Sequence, residues 1–130
     1  MNKRILICDD EIHILRAAEF KLKKAGYEVC IANDGQEAWE ALQRQTPDVL
    51  ITDCQMPRMN GLELVQKVRE ELHLHDLPIF MLTAKGFELS HEALAQKWNV
   101  LAVLAKPFSP RELLEKVQAV LEEQPAPTKC

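Results

Sequence analysis

The chain has 130 residues, 47% of them hydrophobic and 28% charged, with a formal net charge of −4. That is the make-up of a single ordinary globular domain, large enough to bury a core without disulfides or a structural metal. Both signs of charge mix along the chain, and clusters such as Lys21, Lys23 and Lys24 are short and flanked by acids, which argues against a nucleic-acid surface.

Strand and helix signals then alternate. Ile5–Cys8 is a continuous apolar run, the pattern of a strand buried on both faces. Leu15, Ala18, Leu22 and Ala25 recur at helical spacing, and Gly26 supplies the stop. Tyr27–Ala32 reads as a second buried strand, Asn33-Asp34-Gly35 as a turn, and Ala38, Ala41 and Leu42 as one face of a helix closed before Pro47. Val49–Thr52 is a third strand. Met56-Pro57 with Asn60-Gly61 is a turn that opens a third helix, marked by Leu64, Val65, Val68 and Leu72. Pro78–Leu82 is a fourth strand, and Phe87, His91, Leu94, Ala95 and Trp98 make a less regular helical stripe. Val100–Ala105 is a fifth strand. Pro110 suits the first position of a last helix capped by Ser109, with Leu113, Leu114, Val117, Val120 and Leu121 on its apolar side. Such alternation predicts an α/β domain over residues 1–123, with right-handed crossovers and helices on both faces of a parallel sheet. Residues 124–130, Pro-rich and without apolar periodicity, read as a linker stub or frayed tail.

No apolar run reaches the length of a membrane span and no signal-like core follows Met1, so the expected location is cytoplasmic, with no membrane partner. Cys8, Cys30, Cys54 and Cys130 lack CxxC spacing; with Cys8 and Cys30 on predicted buried strands, they read as reduced and apolar rather than as zinc ligands or a disulfide framework. His73 and His75 read as part of a polar loop.

Chemistry concentrates where the strands stop. Asp9 and Asp10 follow the first strand, Asp53 ends the third, Thr83-Ala84 follow the fourth, and Lys106-Pro107 follow the fifth. In open α/β sheets, ligands bind at the carboxyl ends of the strands. Carboxylates clustered there with one lysine repel one another, which suggests a divalent cation. Singly, each residue has a structural reading: Asp9, Asp10 and Asp53 as helix caps, Thr83-Ala84 as loop, Lys106-Pro107 as a chance dipeptide. Their joint occurrence at strand ends is far more specific.

Ile7-Cys8-Asp9-Asp10-Glu11, Asp53-Cys54-Gln55-Met56-Pro57, Asn60-Gly61, Thr83-Ala84 and Lys106-Pro107-Phe108 together resemble the receiver domain of two-component response regulators, over residues 3–122, and the chemotaxis regulators among them. The resemblance implies a flavodoxin-like, doubly wound five-stranded sheet of order 2-1-3-4-5. It implies that Asp53 is the phosphoacceptor for a histidine kinase or histidine phosphotransfer protein. Mg²⁺ would then be held by Asp10, Asp53 and the Gln55 backbone carbonyl, with Asp9 acting through a water. Thr83, the Ala84 N–H and Lys106 would meet the phosphoryl oxygens. The protein would be a switch read by an output protein or fused output domain, with slow autodephosphorylation at most and no separate substrate. Gln55 and Lys85 would flank the path of hydrolytic water and tune the lifetime of the phosphoryl group.

Two positions depart from the family pattern. Val103 stands where many members carry Tyr or Phe, which puts the readout in question while leaving the chemistry at Asp53 intact. Asn99 replaces a usual glycine, a mild change because asparagine tolerates left-handed backbone. Leu101 and Val103, with Trp98 nearby, either pack inward, the favoured reading, or give a patch suited to a weak homodimer. Rival functions are a docking module without phosphorylation, a haloacid-dehalogenase-like phosphohydrolase and a flavodoxin-like electron carrier. The intact set of Asp9, Asp10, Asp53, Thr83 and Lys106 opposes the first. Gln55, where such hydrolases carry a second Asp, opposes the second. Asp9-Asp10-Glu11, where a flavin phosphate loop would be needed, opposes the third.

Overall fold

Short apolar runs set the sheet. A computed structural model of the chain describes residues 3–56, 58–83 and 96–122. Its strands are β1 (Arg4–Cys8), β2 (Glu28–Ala32), β3 (Val49–Asp53), β4 (Ile79–Thr83) and β5 (Ala102–Ala105). All pair in parallel, in the order β2-β1-β3-β4-β5. The described helices are α1 (Ile12–Lys24), α2 (Gly35–Arg44), α3 (Gly61–Glu70) and a last helix, Pro110–Glu122. Residues 96–98 are also helical, whereas Phe87, His91, Leu94 and Ala95 of the expected fourth helix, and the 124–130 tail, lie outside the described residues. No described helix is long and apolar enough to cross a membrane.

Alternation along each strand divides the core in two. Leu6, Cys8, Leu50, Ile79 and Met81 face α2 and α3, meeting Ala38, Trp39, Leu42, Leu64, Val65 and Val68. Ile5, Ile7, Val49, Ile51, Phe80 and Leu82 face the other way, onto Leu15, Ala18 and Leu22 of α1 and Leu113, Val117 and Leu121 of the last helix. Each fully buried Leu or Ile contributes about 1.5–3 kcal/mol, so both layers hold the sheet rigid beneath its carboxyl edge.

Helix starts follow capping chemistry. Asp34 accepts from the Glu37 N–H at 2.8 Å, so Asn33-Asp34-Gly35 is the cap of α2 rather than the expected turn. Asn60 and Glu63 form a capping box on α3. Ser109 Oγ accepts from the Glu112 N–H at 3.0 Å, as the sequence suggests. Glu11 occupies the N-cap of α1 without any side-chain capping bond, and Gly26, at φ 103°, ends that helix as expected.

Other departures follow from topology. β2 is an edge strand, so Cys30 is half-buried rather than buried. Ala25 is the exposed C-cap of α1 and Leu72 lies past the end of α3. Val100 is buried, but Leu101, next to it and ahead of β5, turns outward at 51% exposure; inward packing holds for Val103 and not for Leu101. Arg69, only 4% exposed, donates to the backbone carbonyls of Trp98 (2.8 Å), Asn99 (3.0 Å) and Leu74. It thereby ties α3 to the segment entering β5.

Candidate functional site

Backbone hydrogen bonds carry the ladder one residue beyond the strands and so aim the site residues. The Asp9 N–H donates to Ala32 O (3.2 Å), that of Cys54 to Leu82 O (2.8 Å) and that of Lys106 to Thr83 O (2.7 Å). The Gly61 N–H donates to Cys54 O at 2.9 Å, and a Cβ at Gly61 would lie 2.2 Å from Asp53 O. Glycine there lets α3 start directly against the end of β3. A cis peptide bond joins Lys106 to Pro107.

Lys106 is the centre of the site. Its Nζ lies 2.7 Å from Glu11 Oε1, 2.9 Å from Asp9 Oδ2 and 3.1 Å from Asp53 Oδ2. The Glu11 and Asp53 contacts are hydrogen bonds. Asp9 Oδ2 is an ion-pair neighbour outside hydrogen-bond angles, and it is a buried carboxylate oxygen with no hydrogen bond. Asp9 Oδ1 accepts from the Glu11 N–H at 2.9 Å, and Asp53 Oδ1 from the Gln55 N–H at 3.4 Å, a long contact. Asp9, Asp53 and Thr83 are buried, while Asp10 and Gln55 are exposed. Asp9, Asp10 and Asp53 each offer a carboxylate oxygen within 4.8 Å of the others. The N-cap of α1 is Glu11, so the Asp pair does not cap that helix.

Burial pushes the Asp53 carboxyl up to about 6; the Asp9 charge adds to the rise, while Lys106 and the Gln55 N–H oppose it. Burial also raises Asp9, against the Glu11 N–H and Lys106. Burial alone would lower Lys106, but its contacts with Glu11 and Asp9 and the surrounding negative charge more than reverse this, so it stays protonated. Beneath the site, the Cys8 thiol donates to Asp34 O at 3.2 Å and touches Met56 Sδ at 3.1 Å. Burial raises Cys8, and raises Cys54 to about 11, so both are thiols at neutral pH and serve as core.

The donor set fits a hard divalent cation. Carboxylate oxygens of Asp9, Asp10 and Asp53 converge, one buried oxygen lacks a hydrogen bond, and among the described residues one ammonium, that of Lys106, meets the carboxylates of Asp9, Glu11 and Asp53. Mg²⁺ takes a few carboxylates and keeps its other positions for water and phosphoryl oxygens. Asp9, Asp10, Asp53, Thr83 and Lys106 thus meet at one edge of the sheet, as their strand-end positions suggest. Ala84, Lys85 and Pro57 lie outside the described residues. Glu11 is the member to which sequence reasoning assigned no part; its only signal was its place next to the Asp pair.

An open parallel α/β domain with an acidic, lysine-bridged site at its carboxyl edge is the class that fold and site define. Residues 5–118 match the response regulator receiver domain family, and the chain belongs to it. It is 36% identical over 121 residues to the alkaline phosphatase synthesis transcriptional regulatory protein PhoP of Bacillus subtilis, a match covering 93% of this chain and 49% of that protein. The chain thus spans about half the length of that curated relative. Chemotaxis protein CheY4 of Vibrio cholerae superposes with a TM-score of 0.83 at 36% identity, over 93% of this chain and 100% of that one. The receiver domain of a sensor histidine kinase from Pseudomonas aeruginosa, solved with a magnesium ion in its active-site cleft, gives a TM-score of 0.78 at 28% identity, over 92% and 97% of the two chains.

Proposed function

We propose that this receiver domain is a phosphorylation switch in which Asp53 takes a phosphoryl group from a phosphohistidine of a histidine kinase or phosphotransfer protein. The observation that carries the reading is the Lys106 ammonium, 3.1 Å from Asp53 and 2.9 Å from Asp9 at the sheet edge. An Asp53 oxygen attacks phosphorus; the phosphorus–nitrogen bond of the donor breaks, and the imidazole leaves with its electron pair and takes up a proton. The product is a mixed anhydride on Asp53. With a carboxyl pushed up to about 6, Asp53 is mostly ionised at neutral pH and needs no general base.

Asp10, Asp53 and the Gln55 carbonyl would hold Mg²⁺, with Asp9 acting through a water. When bound, the ion neutralises charge on the transferring group, as phosphoryl transfer requires. Lys106 supplies a fixed positive charge on the same group. Thr83 and the Ala84 N–H donate to its oxygens. The adduct has about one more negative charge than the carboxylate, which biases the loops and the region around β5 toward a second state. Val103, half-buried against the α2–α3 side of the sheet, supplies no ring for that change, so the readout runs through other groups. In this reading the domain turns over no separate substrate, works in the cytoplasm, and hands its state to an output protein or fused output domain. Leu101 marks the face where a weak homodimer would form.

Intact mass after incubation with acetyl phosphate tests the reading. A single phosphoryl adduct is expected with Mg²⁺, and none without it or in Asp53→Asn. An adduct of equal yield in Asp53→Asn would overturn it.

A further inference from the structure

The ammonium that the phosphoryl group needs is already enclosed by carboxylates. Lys106 Nζ faces three of them, hydrogen-bonded to Glu11 and Asp53 and ion-paired with Asp9. Its side chain is only 10% exposed, so an incoming oxygen reaches it by displacing one of them. Asp9 is fully buried, and Asp53 is the group that receives the phosphoryl. Glu11, with 58% of its side chain exposed and the shortest contact at 2.7 Å, is the neighbour that can swing out into water. Its own position gives it no competing structural duty. It stands at the N-cap of α1, yet its side chain makes no capping bond. Its N–H is tethered to Asp9 Oδ1 at 2.9 Å, which keeps its backbone beside the site.

Resting on the phosphoacceptor reading above, we propose that Glu11 is a charged gate over the site: a positioning residue whose carboxylate occupies Lys106 and must leave before a phosphoryl group can use that ammonium. It acts twice, by holding the lysine and by repelling a doubly charged phosphodonor at the mouth. Both effects slow uptake from small donors. A protein donor escapes them if it brings a cation of its own to Glu11.

The test compares wild type, Glu11→Gln and Glu11→Asp. Initial phosphorylation by acetyl phosphate with saturating Mg²⁺ is followed by intact mass at low and high salt. Acetylation of Lys106 by acetic anhydride, without Mg²⁺ or donor, is followed by peptide mass. Glu11→Gln should raise the uptake rate about three- to tenfold at low ionic strength, from Coulomb's law for one charge opposing a dianion across the mouth of the site. That gain should shrink as salt rises. Glu11→Asp, which keeps the charge, should gain less. Lys106 should acetylate faster in Glu11→Gln. An unchanged uptake rate, or a gain that ignores salt, overturns the gate. Unchanged Lys106 reactivity removes its structural basis. If no variant takes up phosphate while Lys106 reactivity still rises, the phosphoacceptor reading has failed and the gate with it, although the contact stands.

Discussion

Asp53 should cost the metal-free protein stability, and Asp53→Asn should recover it. The folded carboxyl is pushed from 3.8 up to about 6, chiefly by burial and then by the Asp9 charge. Between those values the folded protein holds more protons at this site than the unfolded chain does. Stability therefore falls as pH rises through that window, and the penalty is complete above its upper end. At ~1.4 kcal/mol per pH unit the full effect is about 3 kcal/mol. Asparagine keeps the shape and an acceptor for Lys106, which also retains Asp9 and Glu11, and the attraction of Lys106 for the charged Asp53 is already contained in that net figure. The expected net gain is about 1–3 kcal/mol near neutral pH, a rise in Tm of several degrees for a domain of this size. Urea unfolding in EDTA, at neutral pH and again near the unfolded carboxylate range, measures it. The gain should be full in the first condition and close to zero in the second. Asp53 and Asp9 titrate as a pair, so the transition between the two conditions should be broad. A variant less stable than wild type at neutral pH, or a gain unchanged by acid, would refute the argument that burial and crowded charge dominate this site.

Saturating Mg²⁺ should raise the Tm of wild type, by about 2.7 kcal/mol of stability at a hundredfold excess over Kd, and Asp10→Asn should remove most of that rise in differential scanning fluorimetry. Arg69→Met strands the carbonyls of Leu74, Trp98 and Asn99 and should cost about 2–4 kcal/mol in chemical denaturation. Gly61→Ala pushes a methyl group to 2.2 Å from Asp53 O; it should both destabilise the fold and displace the acceptor, seen as a lower Tm together with slower phosphoryl uptake.

Much of this was legible in the residues. Continuous runs such as Val49–Thr52 and Ile5–Cys8 have no polar face, so they could only be strands covered on both sides, and both are. A polar group ending such a run must sit at the sheet edge, which is why the strand-end positions of Asp9, Asp53 and Lys106 already imply that they share one edge. What eluded the reading depends on contacts between distant segments. The edge position of β2 leaves Cys30 half-exposed, yet the run Val29-Cys30-Ile31-Ala32 looks as apolar as an inner strand. Asn33-Asp34-Gly35 suits a turn and a helix cap equally well; the Glu37 N–H decides for the cap. Leu101 and Val100 are similar side chains at adjacent positions, and only the docking of that segment beside β4 turns one in and the other out. Glu11 stands in the sequence only as the residue after the Asp pair, because the lysine that gives it meaning lies 95 residues away.

The central claim is that Asp53, rather than Asp9 or Asp10, carries the phosphoryl group. Phosphorylated protein can be reduced with borohydride, which converts an aspartyl phosphate to homoserine, and mapped by tandem mass spectrometry. The homoserine mass is expected at position 53 alone, and only in samples prepared with Mg²⁺. Homoserine at position 9 or 10, with Asp53 unmodified, would contradict it.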